Sequence, residues 1–363
     1  MKKILVLGAG LFGLHIGIEL QKLGFITTVL EMEDKILAGA TSGSILRVHS
    51  GLHYPRDLDT AIQSRKGYLP FFDYYQEVIR NDFPNFYGLA RYSSKVDRKH
   101  MEDFANRANI RCRPVEIGNL LFTGINAELL DFAWEVKEGV VDLGALDSFY
   151  QKLVIDLELR LLLNHKVVKL DFFDRKWLVE TQSGFSEQFD FVVRATHGQN
   201  GIRSNVLNEE ENIYEYHQTK MLRINCGMTP FSMTVMDGPF ISFLPAGFTG
   251  DYFVYGPGVS IRQKFVGAYV PPSWSHKSES DDQNFIQETK ELLQKWFPNL
   301  PTYREIEILT TTRAIQPHVG LTDRRITEVE DLAKGFFNVK STKIDHVVGV
   351  TDIIISKIMS SHT

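Results

Sequence analysis

Three glycines near the start of the chain, Gly8, Gly10 and Gly13, are spaced as G-x-G-x-x-G within Gly8-Ala9-Gly10-Leu11-Phe12-Gly13. That spacing suits a phosphate. Gly8 permits a tight turn, Gly10 lets backbone N–H groups approach a pyrophosphate, and Gly13 lets the following helix pack closely on the preceding strand. The phosphates then meet a helix N-terminus, where free N–H groups and the macrodipole favour negative charge. Ile4-Leu5-Val6-Leu7 supplies the strand, Leu14 to Leu23 the helix, and Thr27-Thr28-Val29-Leu30 a second strand ending in Glu31. A carboxylate there accepts ribose hydroxyls and repels a 2′-phosphate. These pieces together specify a dinucleotide and leave FAD or NAD open. A secretory signal peptide does not fit, because the glycines break the apolar stretch, and His15 and Glu19 follow within it.

A second cluster lies just beyond. Ala38 to Ser44 is rich in small and hydroxyl residues, which suits a segment running flat along a ligand, and Arg47, His49, His53, Tyr54 and Arg56 follow within a short span. One isolated histidine there would read as surface; two histidines, a tyrosine and two arginines read as a polar site. Further along, Phe189 to Arg194 is a buried-type strand that delivers Ala195, Thr196, His197 and Gly198 to the carboxyl edge of a sheet, where ligands bind in open α/β folds. Near the end, Ser341-Thr342-Lys343 joins a strand to an apolar helical pattern from His346 to Met359, a second place where N–H groups and a cation meet an anion.

The elements between are expected as follows. Asp59 to Arg80 reads as helix, Tyr87 to Tyr92 as strand, Lys95 to Ala108 as a polar helix, and Gly144 to about Leu159 as a helix capped by Asp142. Leu161 to Asp171 and Lys176 to Thr181 read as a hairpin. Residues 215–270, rich in β-branched and aromatic residues with Gly and Pro turns, suit an antiparallel sheet; Asp281 to Phe297 is an amphipathic helix and Glu305 to Arg313 a strand.

The chain has 363 residues, 43% hydrophobic and 23% charged, with a net charge of -5, an ordinary globular profile with length for two closely packed domains. Slight acidity without a Lys/Arg block argues against nucleic acid as a partner. No apolar run approaches the roughly 20 residues that span a bilayer. Cys112 and Cys226 stand far apart without a C-x-x-C partner, so neither a disulfide framework nor a metal site is implied. We expect a cytoplasmic protein whose partner is a small-molecule substrate.

Taken in order, Gly8 to Gly13 with Glu31, the Thr41-Ser42 stretch, Gly139-Val140-Val141-Asp142, Ala195-Thr196-His197-Gly198 and Ser341-Thr342-Lys343-Ile344 resemble the D-amino-acid oxidase family of FAD-dependent oxidoreductases over nearly the whole chain. Within that family, Arg47 to Arg56 is similar to the His-Ala-Gly-x-Tyr-Tyr segment of L-2-hydroxyglutarate oxidases. The resemblance implies non-covalent FAD and an α/β fold of the glutathione-reductase type: a Rossmann-like FAD-binding domain interleaved with an antiparallel-sheet substrate domain. The expected division is 1–80, 140–215 and 305–363 for the first, and 81–139 and 216–304 for the second. Carried over, Gly8, Gly10, Leu11, Phe12, Gly13 and Glu31 bind the ADP half, Thr41 and Ser42 lie along the phosphates and ribityl chain, and Val168 supplies backbone to the adenine. Ala195, Thr196 and Gly198 border the cofactor, Ser44, Arg47 and Val48 flank the flavin ring, and Lys343 and Ile344 stabilise negative charge at its N1 and O2 edge. Three features depart from the family pattern: His197 inside the Ala-Thr-Gly turn, Lys340-Ser341-Thr342-Lys343 in place of a glycine-rich approach to the last helix, and Arg313-Ala314 where amino-acid oxidases carry Arg-Pro.

The implied reaction is oxidation of a C–H bond bearing a hydroxyl or amine, with hydride transfer to flavin N5. A hydroxyl needs a base, and His49, then His53, is the candidate; an amine need only bind unprotonated. Tyr54 and Tyr255 are candidates to hydrogen-bond the substrate, and Arg56 or Arg313 to hold an acid group. A sugar or carrier-bound substrate of a biosynthetic pathway is the alternative within the class. A nicotinamide dehydrogenase, which would not call for Thr41-Ser42 or Lys343, and a non-redox FAD-binding protein are the alternatives outside it.

Overall fold

The structure is a computed structural model that describes residues 1–198, 201–275, 279–317 and 322–361. Its organising layer is a six-stranded sheet in the order Glu328–Ala333, Phe336–Lys340, Phe191–Arg194, Lys3–Leu7, Ile26–Leu30, Arg160–Leu162. The central strand β1 (Lys3–Leu7) is parallel to both neighbours, with Leu7 opposite Arg194 and Leu30. All three carboxyl ends therefore reach one edge together. The helix α1 (Leu11–Lys22) leaves that edge and, being apolar on most sides, is buried between the sheet and the closing helix Val347–Ser360. The other face is covered by a three-stranded antiparallel sheet through Leu170, Trp177, Val179 and Phe189.

The second layer system is a large sheet, nine-stranded among the described residues, that packs Phe231, Phe243 and Tyr252 against the amphipathic helix Glu279–Trp296. Its longest ladder pairs Tyr214–Asn225 with Arg304–Ile315, from Glu215 opposite Ile315 to Asn225 opposite Arg304. The expected strand Glu305 to Arg313 lies in this ladder, whose eleven paired positions tie it to the large sheet rather than to the parallel one.

Two expected elements are corrected. The helix α2 (Leu58–Tyr75), started by Asp57 accepting from the Thr60 N–H, stops before Arg80; Gln76–Val78 forms a 3₁₀ turn and Ile79–Arg80 pairs with Val140 and Val141. The anticipated hairpin strand from Leu161 is two strands: Arg160–Leu162 extends the parallel sheet and Val167–Phe173 joins the three-stranded one. The expected helix cap by Asp142 is present, its carboxylate accepting from the Ala145 N–H at 2.8 Å. No helix among the described residues is long and apolar enough to cross a membrane.

Candidate active site

The glycine turn follows from close packing. Gly8 has a φ of +94°, and a Cβ there would stand 2.9 Å from the Ala195 carbonyl oxygen; a Cβ on Gly13 would stand 1.8 Å from the Gly8 carbonyl oxygen. The turn is thus pressed between two strand ends and its own helix, and only glycine fits. Glu31 reaches back to it, accepting from the Ala9 N–H at 2.6 Å and from the Glu33 N–H at 3.0 Å. Thr41 accepts from the Leu11 N–H at 3.2 Å. The N-cap residue of α1 is Gly10, which has no side chain to cap the helix, and the first turn carries no acid.

A cleft of about 440 Å³ runs from this turn past Glu31, Thr41, Ser44, Ala195 and Thr196. The hydroxyls behind it serve the chain itself. Ser42 donates to the Ala38 carbonyl at 2.8 Å, and Ser44 donates to the Ala40 carbonyl at 2.6 Å. From the strand expected to meet the adenine, Val167 lines the cleft; the Val168 carbonyl accepts from the Arg203 N–H at 3.1 Å. Gly198, with a φ of +76°, packs instead against Ala314 and Tyr214.

The cleft continues into a chamber of about 240 Å³; Ser44, His197, Thr342, Lys343 and Ile344 line both. His49 and His53 line the chamber with their rings stacked 4.8 Å apart. The short strand Arg47–Val48, paired with Gly139 and Val140, carries His49 in just behind Arg47. His49 Nδ1 is 3.4 Å from Tyr87 Oη and 3.8 Å from Glu138 Oε2. Burial first, then the charge of Lys343, holds both imidazoles well below the usual histidine range, so both are neutral near pH 7. His53 Nδ1 and Tyr54 Oη are buried without a hydrogen-bond partner among the described residues. Lys343 lies 4.6 Å over the Tyr54 ring; burial lowers its pKa to about 8, and burial raises that of neighbouring Asp345 to about 7.

Two arginines differ in their commitments. Arg47 Nε donates to Glu138 Oε2 at 2.7 Å, its guanidinium lies 4.7 Å over the Tyr87 ring, and its Nη2 is buried without a partner among the described residues. Arg313 donates to Tyr255 Oη at 3.2 Å, stacks 4.9 Å from the Tyr255 ring, and has no carboxylate partner among the described residues. It lines the chamber, and a guanidinium is able to hold a carboxylate bidentately. Arg56, expected to bind substrate, does not line the chamber; it forms an ion pair with Asp237 at 2.5 Å.

His197 explains its own departure from the family turn. Its Nε2 accepts from the Ala314 N–H at 3.1 Å, so the proton is on Nδ1, which faces Ser341 Oγ at 3.3 Å. One neutral ring joins the parallel sheet edge, the large sheet and the last turn. Burial, with the nearby Arg313, lowers its pKa to about 4. Sequence reasoning missed Tyr87, Glu138 and Arg325, all brought in by tertiary structure; Arg325 lines the chamber while paired to Asp323 at 2.9 Å. The only local signal for Glu138 is an acid set directly before the apolar strand Gly139–Val141.

The residues fit FAD on the structure's own terms. A helix N-terminus with no acid in its first turn and a turn with no room for a Cβ at Gly8 and Gly13 suit a pyrophosphate, and the Lys343 ammonium, with no hydrogen-bond partner among the described residues, suits an anionic ring edge. Over 362 residues, 97% of this chain and 90% of the relative, the chain is 25% identical to the FAD-dependent monooxygenase FPY4 of Fusarium mangiferae. Glycine oxidase from Geobacillus kaustophilus has a similar fold, with a TM-score of 0.74 at 11% identity over 99% of this chain and 95% of that one. FAD-bound L-α-glycerophosphate oxidase from Mycoplasma pneumoniae gives a TM-score of 0.76 at 12% identity over 98% of this chain and 94% of that one. Residues 3–339 match the family model described as FAD dependent oxidoreductase (DAO). The chain therefore belongs to the FAD-dependent oxidoreductases of the D-amino-acid oxidase family, and FAD is its cofactor.

Proposed function

We propose that the protein oxidises a C–H bond bearing a hydroxyl or amino group in a small carboxylate, of the 2-hydroxy-acid or amino-acid type. The observation that carries this reading is the chamber's composition: two neutral imidazoles share it with an Arg313 guanidinium that no carboxylate of the described chain neutralises. A neutral imidazole accepts a proton from a hydroxyl, and a guanidinium holds a carboxylate bidentately. Bound FAD supplies the hydride acceptor.

In this reading Gly8, Gly10, Leu11, Phe12 and Gly13 hold the pyrophosphate and Glu31 the ribose, while Thr41 and Ser42 keep the backbone beside them in place. The Val167-Val168 segment meets the adenine, and Ala195 and Thr196 border the cofactor. Ser44, Arg47 and Val48 lie beside the flavin ring, with Lys343 and Ile344 at its N1 and O2 edge, where the ammonium of Lys343 favours the reduced form. Arg313 and Tyr255 hold the substrate carboxylate, and His49 or His53 takes the heteroatom proton. The parallel-sheet layers act as the nucleotide-binding unit and the large sheet, with Arg304–Ile315, as the substrate-binding one.

The monooxygenase name of the full-length relative favours a second reading, in which oxygen is inserted and an external reductant is needed. Anaerobic mixing of the FAD-loaded protein with 2-hydroxy acids and amino acids separates the two. Bleaching of the visible flavin band by one of these acids alone is expected. Bleaching only with a reduced nicotinamide, and by none of the acids, sinks the oxidase-type reading.

A further inference from the structure

We propose that Tyr87 and Glu138 are positioning residues that fix the tautomer of His49, and that His49 Nε2 rather than either nitrogen of His53 is therefore the proton acceptor of the reaction. The inference rests on the reaction class given above.

The argument is one of donors and acceptors. Glu138 is surrounded by donors: Arg47 Nε at 2.7 Å, Ser50 N–H at 2.8 Å, Ser50 Oγ at 2.8 Å and Tyr87 Oη at 3.0 Å. A carboxylate so placed accepts only. Tyr87 has one proton to give, and burial pushes its pKa up, so the phenol stays protonated. If that proton went to His49, a phenol lone pair would face the Glu138 carboxylate at hydrogen-bond distance. It goes to Glu138, and the lone pair left on Tyr87 Oη faces His49 Nδ1 at 3.4 Å. His49 Nδ1 must then carry the proton, leaving Nε2 bare in a ring that lines the chamber.

His53 has no such support. Its Nδ1 is buried with no partner among the described residues, so no hydrogen bond there selects its tautomer. It serves as a wall: stacked at 4.8 Å on one side of His49, with Tyr54 edge-on at 5.7 Å, it restricts rotation of the His49 ring. When His49 Nε2 takes the substrate O–H proton, the C–H bond breaks with its electron pair passing as hydride to bound FAD, and the C–O bond becomes C=O. The imidazolium then faces the Glu138 carboxylate, 3.8 Å from Nδ1.

The test reads the tautomer directly. In FAD-loaded full-length protein labelled with ¹⁵N at its histidine side chains, the His49 signals are assigned by their loss in His49→Gln. The wild type is expected to show a protonated Nδ1 and a bare Nε2, and Tyr87→Phe to divide the signal between tautomers. Anaerobic flavin reduction by whichever acid bleaches the wild type should slow about 10- to 100-fold in Tyr87→Phe. Glu138→Gln keeps the shape, removes the charge, and should slow reduction by a similar factor. Retained FAD and an unfolding temperature near wild type confirm that each variant is folded. A wild-type His49 protonated on Nε2, or variants that change neither tautomer nor rate, overturns the proposal. The tautomer needs no substrate, so failure of every acid to bleach the flavin would strike the reaction class alone.

Discussion

The cleft and the chamber share a wall, yet they treat polar atoms in opposite ways. Around the glycine turn the polar side chains are satisfied by the chain: Glu31 by two N–H groups, Thr41 by the Leu11 N–H, Ser42 and Ser44 by carbonyls one turn away. In and behind the chamber wall, Arg47 Nη2, His53 Nδ1 and Tyr54 Oη have no partners among the described residues although buried. An unmet buried polar atom costs about 1–3 kcal/mol. A scaffold that binds a fixed cofactor gains from rigidity and settles its groups, whereas a site that receives substrate keeps groups available. The contrast predicts that damage to the cleft abolishes cofactor binding, while damage to the chamber spares the cofactor and changes the reaction.

The largest effect belongs to the cleft. Gly13→Val places a branched side chain where even a Cβ meets the Gly8 carbonyl oxygen at 1.8 Å, so α1 must move off the sheet. We expect a loss of about 3 kcal/mol or more and protein that purifies without flavin. The flavin-to-protein absorbance ratio and the unfolding temperature check this; a yellow, wild-type-stable variant would refute the packing account.

The shared wall comes next. The folded His197 has a pKa of about 4, below the ordinary 6.5, so its proton is taken up more readily by the unfolded chain. Its contribution is complete above about pH 6.5 and is lost as pH falls towards 4, on the order of 3 kcal/mol across the window. His15, also lowered to about 4 by burial, adds a slope of the same sign. His197→Asn keeps a residue that tolerates the left-handed turn and removes one titrating group. Unfolding temperature measured against pH should fall less steeply in the variant between pH 6.5 and 4, and an unchanged slope would exclude His197 from the acid response.

How far the sequence reveals each region follows from how each is built. Gly8 to Glu31 is one contiguous unit whose strand, turn, helix and acid follow each other at fixed spacing, so local pattern is enough to read it. The same holds for Asp142 capping its helix. The chamber is assembled from Arg47 to Tyr54, Tyr87, Glu138, Tyr255, Arg313 and Lys343, which only folding brings together. Types were legible there, and partners were not. Arg313 was marked by its chemistry, but Glu138 looks like any acid before a strand until Arg47, Ser50 and Tyr87 are seen around it. The strand expected over Glu305 to Arg313 is legible in the sequence, but the sheet it joins is not, because its ladder partner Tyr214–Asn225 lies some ninety residues earlier.

Within the chamber, Arg313→Met removes the one guanidinium free of a carboxylate among the described residues while keeping length and apolar bulk. Charged hydrogen bonds are worth about 1.5–3 kcal/mol, so the acid concentration giving half-maximal anaerobic reduction should rise about 10- to 100-fold. FAD content should be unchanged. A variant that keeps its acid affinity would move the clamp elsewhere, to Arg325 first, since that side chain also lines the chamber.

The smallest effect is expected at Arg56, and it is informative because the residue type alone suggested otherwise. Arg56 and Arg313 are both arginines near the histidines in sequence or space, but Arg56 is neutralised by Asp237 at 2.5 Å and stays outside the chamber, whereas Arg313 has only a phenol. Arg56→Ala leaves Asp237 on the chamber wall without that partner, in a part-buried position where solvent takes up much of the change. A loss below about 1 kcal/mol in stability is expected, with acid affinity lowered at most a few-fold by the freed negative charge rather than by loss of a clamp. Asp237→Asn in the same background then restores affinity, because it removes that charge. If Arg56→Ala instead weakens acid binding as strongly as Arg313→Met, and the second substitution fails to recover it, Arg56 contacts the substrate directly and the chamber extends past the Asp237 pair.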